Sequence, residues 1–217
     1  MTQPCRRPTS APVPSFTPLI LRWFFVTLGM LALGAAVGVG QEVEVTSVRF
    51  NNLRAPTGSP GTWMEMEVVL IARPVPGSAG QMVSRVRVSV LLGFELPALA
   101  GGERRLEHYR ADAECVALEP GRASVRFYLP PELVKRDQLR SDPRYWGVEL
   151  SVGGRPVPAG RGAYASALGS ADQRRVFQQR ATAAAASNDG ILLPQYLTPF
   201  ANEYPRATPS FVRRDGR

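Results

Sequence analysis

The sequence predicts a mainly β protein, a β-sandwich followed by a C-terminal helix and an irregular tail. Three observations predict it. Apolar residues recur at every second position in runs between Val43 and Val152. Clusters of Gly, Pro and Asn separate those runs, as turns separate short strands. Beyond residue 160 the pattern changes to one capped helical stretch and a Pro-interrupted end. A chain of 217 residues holds one domain of this kind once an N-terminal targeting segment is set aside.

The first strand spans residues 42–50. Val43 and Val45 share one parity and Val48 and Phe50 the other. A bulge near Thr46–Ser47 returns all four to one core, and Asn51–Asn52 ends the strand. In residues 62–72, Met64, Met66, Val68 and Leu70 form one face. Trp63, Val69 and Ile71 lie opposite, on a face that a later segment could cover. Residues 82–92 alternate Met82, Val86, Val88, Val90 and Leu92 against Arg85, Arg87 and Ser89. Pro74–Gly77 and Gly101–Gly102 read as loops on either side.

Residues 105–117 place Tyr109, Ala111, Ala113, Cys115 and Ala117 on one face, and Val125, Phe127 and Leu129 continue the pattern after Glu119–Pro120–Gly121. Pro131 opens a short helix through Leu139. Trp146, Val148, Leu150 and Val152 form a further strand, and Gly153–Gly154 turns it into Arg155–Val157. Ser170 and Gln173 make a capping box for a helix with Val176, Phe177, Ala181 and Ala184 as its apolar side. Asn188 and Gly190 end it.

The apolar stretch Trp23–Gly40 follows Arg6, Arg7 and Arg22 and precedes Glu42 and Glu44. That order is the order of a secretory signal. Gly38 and Gly40 suit cleavage before Gln41, and an uncleaved anchor is the alternative. Either way residues 41–217 are expected outside the cytoplasm, in the periplasm or outer envelope, or held at the inner membrane by the anchor. No Cys follows the segment as a lipoprotein requires, and no Glu lies within it as a type IV prepilin requires. The expected organisation is 1–40 signal peptide or anchor, 41–160 β-sandwich, 161–207 helix and apolar extension packing on the sandwich or on a partner, and 208–217 disordered tail.

The net charge is +8, of which Arg6, Arg7 and Arg22 carry three, leaving +5 from residue 41 onward. The basic residues are scattered among acids, whereas nucleic-acid binding needs a clustered face. No nucleic-acid partner is expected. His108 is the sole histidine, lies mid-strand, and reads as structural or surface. Cys5 precedes the apolar segment, and Cys115 falls on an apolar face, so no disulfide is expected. One His and one such Cys cannot supply a zinc site. Asp137, Asp142 and Glu132 lack the spacing of a calcium loop. The Glu42/Glu44 and Glu65/Glu67 pairs read as solvated strand faces rather than a glycosidase pair. Catalytic, cofactor-binding and metal-binding residues are all expected to be none, and no cofactor is expected.

The tail is the better functional candidate. Leu192, Leu193, Tyr196, Leu197 and Phe200 are apolar anchors that could hold a partner or cover the chain's own sandwich. A carbohydrate-binding module is the other reading, with Trp63 or Tyr128 exposed on a sheet face.

The stretches Val45–Phe50, Trp63–Val68, Tyr145–Gly154 and Asn188–Phe200, above all Asn188–Asp189–Gly190–Ile191–Leu192–Leu193–Pro194, resemble the verrucomicrobial pilus-like proteins. The resemblance implies an immunoglobulin-like sandwich and a non-enzymatic structural or interaction role in the envelope. It also implies partners in a type IV pilus-like assembly. Another copy of the chain is a further candidate partner, and the Trp23–Gly40 segment gives the one expected membrane contact, if it stays uncleaved. The resemblance offers no catalytic residues.

Overall fold

Alternation along the strands builds two antiparallel sheets whose apolar faces close on each other. In the computed structural model, the described residues are 43–213 without 57, 59, 74–81 and 99–104. The expected signal or anchor and the loops at Pro74–Gly77 and Gly101–Gly102 lie outside them. The strands are β1 (Val43–Arg54), β2 (Thr62–Ala72), β3 (Val83–Leu96), β4 (Arg105–Leu118), β5 (Gly121–Leu129), β6 (Tyr145–Val152), β7 (Arg155–Val157) and β8 (Leu193–Pro194). Helix α1 is Pro131–Arg136 and α2 is Ala171–Ala185. Among the described residues no helix is long and apolar enough to cross a membrane.

Sheet one runs β1-β2-β5-β8 and sheet two β4-β3-β6-β7. This is the immunoglobulin-like arrangement with one change. In the constant-type sandwich the fourth strand lies beside the fifth. Here β4 pairs with β3 in sheet two, and β8 takes the place beside β5. The turn at Glu119–Pro120 therefore carries the chain from one sheet to the other.

The bulge falls where the apolar parity requires it. The β1–β2 register shifts between Val45 and Ser47, so that Val48 and Phe50 face Val68 and Met66, as Val43 and Val45 face Ala72 and Leu70. All four then line one core with Val86, Val88, Val90, Tyr109, Phe127 and Val148. Strand β1 runs on past the expected stop at Asn51–Asn52 to Arg54, because each residue through Arg54 still pairs with β2.

Strand β3 departs from expectation at its start. Met82 is 55% exposed and Val83 is buried in its stead. Between Val83 and Val86, Arg85 adopts φ +54°, outside the strand region, so the residues on either side of it do not keep one parity. The Gly153–Gly154 hairpin has φ of +56° and +82°, the paired left-handed conformation that only Gly adopts cheaply.

The capping box is formed as expected: Gln173 N–H donates to Ser170 Oγ at 3.2 Å, and Ser170 N–H donates to Gln173 Oε1 at 3.0 Å. The buried side of α2 is Phe177, Ala181 and Ala185, one residue every four. Val176 is 40% exposed, and Ala184 also faces outward. The true stripe is set by the second sheet, against which Phe177 and Ala181 pack with Leu91 and Leu168.

The expected disorder from Thr208 is corrected through Arg213. Val116 N–H donates to Ser210 C=O at 2.8 Å, and Val212 N–H donates to Glu114 C=O at 2.7 Å. The segment is ordered because the outer edge of β4 offers it backbone partners. Residues 214–217 lie outside the described ones.

Candidate functional site

Two places concentrate chemistry on the outside of the sandwich. The first is the outer face of sheet one. Strand alternation puts Trp63, Glu65 and Glu67 of β2, and Arg126 and Tyr128 of β5, on that face. A solvated sheet would leave such side chains in water. Instead the chain after Gly190 crosses the face and buries them.

Phe200 stacks flat on Tyr128 at 4.5 Å and meets Trp63 edge-on at 5.8 Å. Beside this aromatic cluster lies a polar one. Tyr128 Oη donates to Glu65 Oε2 at 2.6 Å, and Asn51 Nδ2 donates to Glu65 Oε1 at 2.9 Å. Arg126 donates to Glu67 at 2.6 Å, approaches Glu65 at 3.7 Å, and carries the Tyr204 ring 4.2 Å from its guanidinium carbon. Arg126 and Glu65 are 5% and 3% exposed. Glu65, read from its strand parity as solvated, is thus buried, because parity says which face a residue takes and not what covers that face.

Gln195, fully buried, ties the tail to itself. Its Nε2 donates to the carbonyls of Phe200 at 3.0 Å and Glu203 at 2.9 Å. Thr208 Oγ1 donates to Gln195 Oε1 at 3.3 Å and receives Arg126 Nη1 at 3.4 Å. Gln195, Thr208 and Arg126 were not legible as functional residues. The one available signal was a lone amide between Pro194 and Tyr196 in an apolar stretch.

The five expected anchors are separated by the structure. Leu192, 2% exposed, belongs to the main core, and Phe200, 3% exposed, to the aromatic cluster. Leu193 packs on that cluster and pairs with Tyr128. Tyr196 is half-buried, its ring 5.3 Å from Phe211. Leu197 alone is well exposed, at 58%. As partner-binding residues Leu192 and Phe200 are therefore corrected: their side chains are spent inside their own unit. Trp63 and Tyr128, 9% and 0% exposed, are likewise no platform for a sugar.

The second place is a groove of about 690 Å³ between α2 and the outer face of sheet two. Its walls are apolar, with Leu106, Val176 and Phe177 among them, and Arg105, Arg144 and Arg180 reach its rim. His108 lies there, 5% exposed, 6.0 Å from the Phe177 ring. Both of its ring nitrogens lack a hydrogen-bond partner. A buried polar group left without one costs about 1–3 kcal/mol.

Burial also lowers the His108 pKa from 6.5; Glu107 opposes the shift and Arg180 adds to it. The folded state therefore resists protonation more than the unfolded state does. Stability is expected to be full above about pH 6.5 and to decline as pH falls from there toward the folded-state pKa. Urea unfolding across that window checks this. His108→Leu should flatten the decline, since no other His titrates there; an unchanged slope in the variant would assign it elsewhere.

Other reactive groups are quiet. Burial pushes the Cys115 thiol up to about 12. The Arg136 guanidinium holds the Asp137 carboxyl below its ordinary range, and Tyr109 Oη donates to the same carboxylate at 3.0 Å. Among the described residues no three or more His, Cys, Asp and Glu gather in a metal-holding group.

No family model and no curated protein matches the chain. Among solved structures, a crystal structure from Akkermansia muciniphila, a member of the Verrucomicrobia, is similar in fold. The TM-score is 0.61 at 16% identity, covering 80% of this chain and 94% of that one. That likeness places the chain among mainly β sandwiches of this kind.

Proposed function

We propose that this chain is a non-enzymatic structural or interaction protein of the bacterial envelope, exported and associated with a pilus-like assembly. The observation that carries the reading is where its side chains are spent. Trp63, Tyr128, Glu65 and Arg126, the groups on sheet one that could have formed an open site, hold the C-terminal segment instead. That segment pairs with β5 through Leu193–Pro194 and with β4 through Ser210–Val212, so it closes the flank between the two sheets. A chain that completes its own sandwich serves as a rigid building module.

The fold shared with a verrucomicrobial structure supports the same reading, since the resemblance of Asn188–Phe200 points to pilus-like proteins of that group. The carbohydrate reading loses its support with the burial of Trp63 and Tyr128.

The surface left for neighbours includes Leu197 and the outer side of β1 from Ser47 to Arg54, whose ladder among the described residues runs to β2 alone. A photo-crosslinking residue at Leu197 or Arg49 in the full chain, expressed in its own host, tests this. The expected products are adducts with envelope fibre components or a second copy, with the mature N-terminus found by mass spectrometry in the envelope fraction. A full-length chain kept in the cytosol, with no adduct from either position, would overturn the proposal.

A further inference from the structure

We propose that the groove between α2 and sheet two is a binding site for a small carboxylate carried on an apolar body, with His108 and Arg180 as the groups that receive the carboxylate. Three observations on different elements converge there.

The first is the orphaned imidazole. His108 comes from the middle of β4, and it is sealed well enough that bulk water does not satisfy either nitrogen. A neutral imidazole has one N–H to donate and one lone pair to receive. A carboxylate on an apolar body reaches that N–H by parting the side chains that shield the ring, Phe177 among them, which water alone has no apolar contacts to offset.

The second is the charge. Three Arg residues reach the groove, but two are already matched. Arg144 donates twice to Glu95 at 2.9 and 3.0 Å, and Arg105 pairs with Glu107 at 2.9 Å. Asp172, also on the rim, pairs with Arg175 at 3.2 Å. Arg180 has no ion-pair partner among the described residues, and it lies near enough to His108 to act on it electrostatically. The charge left over is therefore positive and sits beside the orphaned ring, so the ligand's polar end is an anion. A planar guanidinium suits a carboxylate.

The third is the apolar wall. Val176 and Leu106 are 40% and 37% exposed, and Phe177 and Leu168 are buried behind them. Exposed branched side chains facing a concavity of about 690 Å³ match a small ligand's hydrocarbon part in size and character. Helix α2 explains why Val176 points out: its buried side is the Phe177, Ala181 and Ala185 stripe, and Val176 is the neighbour that side leaves over.

The test uses the full chain labelled with 15N-histidine, in which His108 supplies the only ring signals. The probe is 3-phenylpropanoate, compared with its neutral isostere 3-phenylpropanamide. The expected result is a saturable shift of the His108 ring nitrogens with the carboxylate, about tenfold or more weaker with the amide. Arg180→Gln should weaken carboxylate binding by a similar factor, and Val176→Glu should abolish it. Both side chains are on the exposed face of α2, so the fold should persist, as far-UV circular dichroism would verify. Ring signals that stay unmoved at millimolar carboxylate would overturn the proposal. Equal binding of acid and amide, or no loss in Arg180→Gln, would overturn the assignment of an anionic ligand.

Discussion

Replacing Phe200 by alanine is expected to cost about 3–5 kcal/mol of unfolding free energy, the range for a buried aromatic cut back to a methyl group. The ring is 3% exposed and fills the space between Tyr128 and Trp63. Removing it leaves a cavity that neither can collapse into, since both project from paired strands. Alanine keeps the residue-200 carbonyl that accepts from Gln195 Nε2, so the loss reports the ring and not that hydrogen bond. Guanidinium unfolding measures the loss, and Trp63 fluorescence should shift to the red as its cover goes. Leu197→Ala, three residues away but 58% exposed, should change stability by no more than about 0.5 kcal/mol. A Phe200→Ala protein that unfolds like the parent would mean that the tail does not hold sheet one.

The second large effect is expected from Arg126→Met. Arg126 is 5% exposed and lies between Glu65, 3% exposed, and Glu67. Removing one partner of a buried ion pair leaves the other charged and unmatched, at about 3–5 kcal/mol. Methionine keeps the packing against Tyr204, so the loss reports charge rather than volume. Adding Glu65→Gln should recover part of it, because an amide still accepts from Tyr128 Oη and carries no charge. Strict additivity of the two substitutions would show that Arg126 and Glu65 are not coupled.

The two substitutions probe one device from its apolar and polar sides. The device exists because β4 joins sheet two, which leaves β5 with an open edge. Leu193–Pro194 occupies part of that edge, and Ser124 N–H donates to Ala207 C=O at 2.9 Å further along. An open edge invites pairing with other chains. The tail occupies it in cis, and for that reason a truncation at residue 191 would remove core residues and not merely a docking arm.

Features set within a few residues could be read directly. The alternation from Val43 to Val152, the bulge at Thr46, the Gly153–Gly154 hairpin and the Ser170 capping box each depend on local sterics and local hydrogen bonds, so local residue order determined them. Which sheet receives β4, what covers Glu65 and Tyr128, and why Leu192 and Phe200 face inward depend on groups as many as 82 positions apart, such as Arg126 and Thr208. Burial is a property of the partner surface as much as of the residue. Only the folded arrangement could turn a charged strand face into an interior and leave His108 beneath a helix without a partner.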